Sequence, residues 1–242
     1  MREKLQHKFK ELRLKHCAEN IDSVLQQGEE KNISPRQIIE RLLDLEIEKR
    51  RQARVVLRFR QSKLLEKPTI DQFDFNHHRS RKKQKNLILG LMDLTFVQDK
   101  KDIILIGNPG VGKSLLAKTI GYAATQAGIK TLFTGAMDMI NQLVAAEQGH
   151  DLLKKLKYYQ TPELLICDEI GYLPLGGQGS NLFFQVISAR HGQKSTIITT
   201  NLPFAQWGNI FDSTSVATAI ADRLVHNSEI LIIEGESYRK KA

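Results

Sequence analysis

Apolar positions divide the chain into two regimes. Over the first third they recur every three or four residues: Leu5, Phe9 and Leu12 form one stripe, and Ile21, Val24 and Leu25 continue it beyond a break. That period predicts helices. Ser34, Pro35 and Gln37 then carry a helix-start signature, with a capping hydroxyl, a proline at the first helical position and a glutamine placed to bond back to the cap. Ile38, Leu42, Leu45 and Val56 extend a long helix toward Leu65, where KPTIDQFDFN ends it, and no glycine interrupts 29–86.

From Asn86 onward, short apolar runs alternate with helical stretches. The runs are DIILIG (102–107), KTLFT (130–134), LLICDE (164–169), STIITT (195–200) and EILIIEG (229–235), separated by segments such as LLAKTIGYAATQAG and NLFFQVISAR. Strands alternating with helices predict an α/β fold, a parallel sheet wrapped on both faces. The layout is therefore a helical basic N-terminal domain over 1–75, a basic linker over 76–85 and an α/β domain over 86–242.

Composition adds limits. With 242 residues, 41% of them hydrophobic, the chain can build one full core and a smaller appendage. No apolar run reaches about eighteen residues, so no membrane span is expected. The start, MREKLQHKFKELRLKH, is basic but lacks an apolar stretch of signal-peptide length. Cys17 and Cys167 lie far apart without metal spacing and read as reduced thiols of a cytoplasmic protein.

Charge changes the picture more. Residues 1–85 hold 22 Lys and Arg against 13 Asp and Glu, whereas 86–242 hold 14 of each, so the whole excess of +9 precedes the glycine-rich segment at 107. Lys49, Arg50, Arg51, Arg54, Arg58, Arg60 and Lys63 follow one another without an acid between Glu48 and Glu66, and Arg50, Arg54 and Arg58 share one helical face. Arg79, Arg81, Lys82 and Lys83 form a second cluster in HHRSRKKQK. Such faces neutralise phosphates without reading sequence, which makes Arg50, Arg51, Arg54, Arg58, Arg79, Arg81, Lys82 and Lys83 the DNA-binding candidates. A solvated helix face and linker is the plainer alternative.

The chemistry centres on GNPGVGKS (107–114), which fits G-x-x-x-x-G-K-[ST] after a strand and at the opening of a helix. Gly107, Asn108, Pro109, Gly110, Val111, Gly112, Lys113, Ser114 and Leu115 are the expected nucleotide-binding residues. Backbone N–H groups cradle phosphates, Lys113 reaches the β- and γ-phosphates, and the Ser114 hydroxyl faces Mg²⁺. Asp168, closing the LLICDE strand, is the second expected holder of Mg²⁺, and Glu169 is placed to polarise an attacking water. That pair favours ATP hydrolysis over transfer to another acceptor. Asn201, or Thr199 or Thr200 beside it, ends the STIITT strand where it can sense the γ-phosphate, although a turn-forming Asn before Leu-Pro explains it nearly as well. Arg223 in ADRLVHNS and Arg239 in GESYRKK are candidates for transition-state charge, with structural salt bridges as the commoner explanation for any arginine. Trp207 and Phe204 read as core.

Taken together, GNPGVGKS, LLICDEIGYLPL, FFQVISAR, STIITTNLPFAQW, ADRLVHNS and GESYRKK, in that order and spacing, resemble the IstB transposition helper proteins, members of the AAA+ ATPases related to the DnaC and DnaI helicase loaders. The helical start and the FDF linker (73–75) fit as well. The resemblance implies an AAA+ doubly wound sheet in the order 5-1-4-3-2 behind a smaller all-α domain. It also implies a DNA-dependent, Mg²⁺-requiring ATPase that forms a homo-oligomer with ATP and DNA. Arg223 would act as an arginine finger on the neighbouring subunit's ATP and Arg239 as a second sensor. The implied job is to hold duplex target DNA and recruit or activate a transposase. A helicase loader on single-stranded DNA is the alternative, and a scaffold that binds ATP without hydrolysing it is a third.

Overall fold

A computed structural model describes residues 2–171 and 174–238. They divide into one unit ending at Leu57 and a second beginning at Arg58. In the first unit, α1 (Arg2–Glu11) and α2 (Lys15–Glu30) are separated by Arg13 at φ 57°, and α3 (Pro35–Gln61) follows, its last turn belonging to the second unit. Ser34 and Gln37 form the predicted reciprocal cap: the serine hydroxyl accepts from Gln37 N at 3.4 Å and Gln37 Oε1 accepts from Ser34 N at 3.1 Å. Cys17, Ile21, Val24 and Leu42 make this unit's small core. Beside them Glu46 is 3% exposed and accepts from the backbone N–H groups of His16 (2.7 Å) and Cys17 (3.0 Å). Burial works to raise its pKa, but those bonds and Arg50 outweigh it and hold the carboxyl below its ordinary range.

The helix α3 stops short of the predicted Leu65. Ser62 Oγ donates to the Phe59 carbonyl at 2.7 Å and accepts from Leu64 N at 3.2 Å, and Lys63 turns to φ 62°. Residues this far into a helix end are decided by local capping rather than by apolar spacing.

The second unit carries five strands: β1 (Asp102–Ile106), β2 (Thr131–Gly135), β3 (Leu164–Ile170), β4 (Ser195–Thr200) and β5 (Ser228–Ile232). All pair in parallel in the order β2-β3-β4-β1-β5, the expected 5-1-4-3-2 sheet read from the other edge. Its central strands are buried on both faces, as near-continuous apolar runs require. Over one face pack α8 (Ala136–Gln148), α9 (Leu152–Gln160), α10 (Gly176–Arg190) and α11 (Thr214–His226). Trp207, fully buried there, lies 4.8 Å from the Phe204 ring. The other face takes α5 (Lys85–Leu91), α6 (Thr95–Gln98) and α7 (Lys113–Gln126), together with Phe73. The segment 76–85 contains a short helix, α4 (Arg79–Lys83).

At the amino end of β1, Asp102 is buried and accepts from Thr196 N at 2.7 Å. Nearby Arg190, 1% exposed, donates to the carbonyls of Tyr159 (3.1 Å), Pro162 (2.8 Å) and Ser195 (2.5 Å). It ties α10 to the segment leading into β3 and to the first residue of β4. No helix among the described residues is long and apolar enough to cross a membrane.

Candidate nucleotide-binding site

The phosphate loop joins β1 to α7, so its backbone N–H groups sit at a helix N-terminus. Two of its glycines are required by geometry. A Cβ on Gly107 would lie 2.1 Å from the Ile233 carbonyl oxygen, and Gly112 holds φ 91°, where a Cβ would meet the Phe73 ring at 3.1 Å and Arg81 Nη2 at 3.3 Å. Lys113 Nζ donates to the carbonyls of Gly107 (2.7 Å) and Asn108 (2.9 Å), contacts that a phosphate would compete for.

A cavity of about 350 Å³ opens over this loop. Pro109, Gly110, Gly112, Lys113, Ser114 and Leu115 line one side, and Glu169, Thr200 and Asn201 enter from the ends of β3 and β4. Its remaining wall comes from Gln72, Phe73, Asp74, Arg81 and Tyr238. The fold thus brings together four residues drawn from three distant motifs: Lys113, Ser114, Glu169 and Asn201. Gly107, Asn108 and Val111 belong to the loop but do not line the cavity. Asp168, 8% exposed, does not itself line the cavity, and its Oδ1 accepts from Thr199 Oγ1 at 2.5 Å. A hydroxyl and a carboxylate are hard oxygen donors of the kind Mg²⁺ takes when phosphates and water complete its shell. The donor set fits.

Thr199 does not face the cavity. It is fully buried and its hydroxyl is engaged on both sides, whereas Thr200 and the exposed Asn201 line the opening. Arg223 lies on α11, where Nη1 donates to the Ala219 carbonyl at 2.9 Å and the guanidinium covers the Phe184 ring at 4.6 Å. It does not line this chain's own cavity. Arg239 lies outside the described residues.

Among the basic candidates, Arg81 needs correcting. Grouped with the DNA-facing cations by sequence, it is 3% exposed, donates to Val111 O at 2.6 Å and Asp74 O at 2.9 Å, and stacks 4.7 Å from the Phe73 ring. Burial lowers its pKa, partly offset by the neighbouring Asp74 and Tyr238. It lines the cavity over the phosphate loop. The reason is α4's geometry: one residue of a short helix turns inward while Arg79, Lys82 and Lys83 remain exposed, and an unbroken basic run hides which one. Arg50 is likewise occupied, with Nε on Glu46 at 2.7 Å and Nη2 on the Arg13 carbonyl, and Arg58 Nε donates to Gly128 O at 3.0 Å. Arg51 and Arg54 are exposed.

Sequence reasoning gave no site role to Gln72, Phe73, Asp74 or Tyr238. The FDF and GESY stretches were visible, but nothing in their spacing says that both close on the loop. Ser80 Oγ accepts from Glu234 N at 3.0 Å, His77 Nε2 lies 3.0 Å from the Glu236 carbonyl, and Tyr238 N donates to Gly110 O at 3.0 Å, which lays the tail across the loop's rim.

Comparison with known proteins agrees with this geometry. The model of the family described as IstB-like ATP binding protein matches residues 7–242. A relative named for ATP binding in insertion sequence IS5376 of Geobacillus stearothermophilus is 38% identical over 99% of this chain and 94% of its own length. Another, from insertion sequence IS21 of Pseudomonas aeruginosa, is 36% identical over 95% of this chain and 86% of its own. Among solved structures, the DnaC helicase loader superposes with a TM-score of 0.56 at 23% identity, over 73% of this chain and 98% of that one, a likeness of fold. With the phosphate loop, the strand order and a family match along nearly its whole length, the chain belongs to the IstB-like ATP-binding proteins of the AAA+ fold.

Proposed function

We propose that the protein is an ATP-hydrolysing helper of insertion-sequence transposition, which holds duplex target DNA and recruits or activates a transposase. The observation carrying this reading is the single cavity that gathers Lys113, Ser114, Glu169 and Asn201 over the phosphate loop. Lys113 exchanges its two carbonyls for the β- and γ-phosphates. Ser114 and Asp168 would hold Mg²⁺, which would supply charge neutralisation to the phosphates. Glu169 reaches the cavity as a carboxylate able to orient and deprotonate a water, and Asn201 donates toward the γ-phosphate. Phe73 and Arg81 offer a flat wall for the base.

Arg223, which does not line its own cavity, suits a role on a neighbouring subunit's ATP, so that ATP joins subunits and hydrolysis loosens them. Arg239 keeps the second-sensor role that the family resemblance implies. The exposed cations Arg51, Arg54, Arg79, Lys82 and Lys83 offer sequence-independent phosphate contacts. The names of the insertion-sequence relatives support the setting.

The test is retention of labelled random-sequence DNA by the purified protein, duplex against single strand, with and without ATP. Duplex preference that requires ATP is expected. Preference for single strands would replace this reading with that of a helicase loader.

A further inference from the structure

The parallel ladder between β3 and β4 is broken at one place. Cys167 pairs with Ile198, but the next pair is Ile170 with Thr200, so Asp168 and Glu169 together oppose Thr199 alone. This is a β-bulge, which is rare between parallel strands and leaves an N–H without its ladder partner. Glu169 within it holds φ 61°, a left-handed backbone that a residue with a Cβ seldom adopts. Strained backbone persists only where surrounding bonds fix it.

One hydroxyl provides that fixing. Thr199 Oγ1 accepts the stranded Glu169 N–H at 2.8 Å and donates its own proton to Asp168 Oδ1 at 2.5 Å, while Thr199 itself is fully buried. Its donor is spent on one acidic residue and an acceptor site on the other. Asp168 Oδ1 is thereby committed inward, and Glu169 is the member of the pair that reaches the cavity.

We propose that Thr199 is a positioning residue of the hydrolytic site: its hydroxyl locks the Asp168–Glu169 bulge and so sets the metal-facing and water-facing carboxylates together. The inference rests on the ATP-hydrolysing reading above, but its consequences for metal binding do not depend on turnover. Valine matches threonine in shape and removes both bonds. Serine keeps both and loses only the methyl group.

The experiment compares the full-length wild type with Thr199→Val and Thr199→Ser. It measures binding of a fluorescent ATP analogue in EDTA, the Mg²⁺ concentration that half-saturates its effect on that binding, and ATP turnover. In EDTA all three should bind alike, because the Thr199 side chain does not line the cavity. The valine variant should need about tenfold more Mg²⁺, in line with the loss of an outer hydrogen bond to a metal-holding carboxylate. Its kcat should fall by about tenfold or more with KM little changed. Serine should restore both. A valine variant with wild-type Mg²⁺ dependence overturns the inference, and so does a serine variant impaired as badly as valine, which would assign the effect to packing. Should valine prevent folding, Thr199→Ala against Thr199→Ser makes the same comparison. If the wild type fails to hydrolyse ATP, the hydrolytic reading falls while the Mg²⁺ measurement still decides the role of Thr199.

Discussion

Asp102 should make this protein less stable as solution turns from acid to neutral, against the usual behaviour of carboxylates. It is 7% exposed at the start of β1. Burial pushes its pKa up to about 7 from 3.8, and the Thr196 N–H and the charge of Arg190 offset that only in part. Burial also lowers Arg190 to about 10, so it remains charged at neutral pH. Between those two carboxyl values the folded chain keeps a proton that the unfolded chain has released. The stabilisation is therefore complete below the unfolded value of 3.8 and is lost as pH rises through about 7. A span of about three pH units at 1.36 kcal/mol each sets a ceiling of roughly 4 kcal/mol. Asp102→Asn keeps an acceptor for Thr196 N and removes the titration. Urea unfolding of both proteins between about pH 5 and about pH 8 should show the asparagine variant gaining on the wild type by a few kcal/mol as pH rises. A constant difference, or a wild type that gains with pH, would refute the reasoning and make the attraction of Arg190 the stronger effect.

Two further outcomes follow from the cavity and the helical unit. Arg81→Met should weaken binding of a fluorescent ATP analogue by about tenfold, roughly the loss of one charge-assisted contact, and leave DNA retention in saturating ATP nearly intact; unchanged nucleotide affinity would return Arg81 to a purely structural role. Reversing charge at Arg51 and Arg54, while leaving Arg50 and Arg58 to their structural bonds, should weaken duplex binding and lower the slope of log affinity against log salt by about two. An unchanged slope would assign that helix to protein contacts.

How much of this was legible beforehand varies by element for physical reasons. Periodicity and turn chemistry act locally, so the sequence alone set five strands to within three residues, the cap at Ser34 and the loop at Gly107–Ser114. It also put Asp168 and Glu169 at a strand end, because an apolar run closing on two acids has few other meanings. The end of α3 escaped it, since the Ser62 hydroxyl ends that helix by bonding, not by any change of hydrophobic pattern. Only the tertiary structure decided which of several like residues serves the site. Arg81 and Arg79 are equivalent in sequence, yet one is sealed against Phe73 and Val111 and the other meets solvent. Asn201 is the sequence's first choice of phosphate sensor with Thr199 and Thr200 as alternatives, and only the fold shows Thr199 turned inward at the bulge in β3. Tyr238 joins Gly110 across more than a hundred residues of chain, and no local period encodes such a contact. Local interactions write the elements, while burial and long-range hydrogen bonds, which exist only after folding, choose the residues that work.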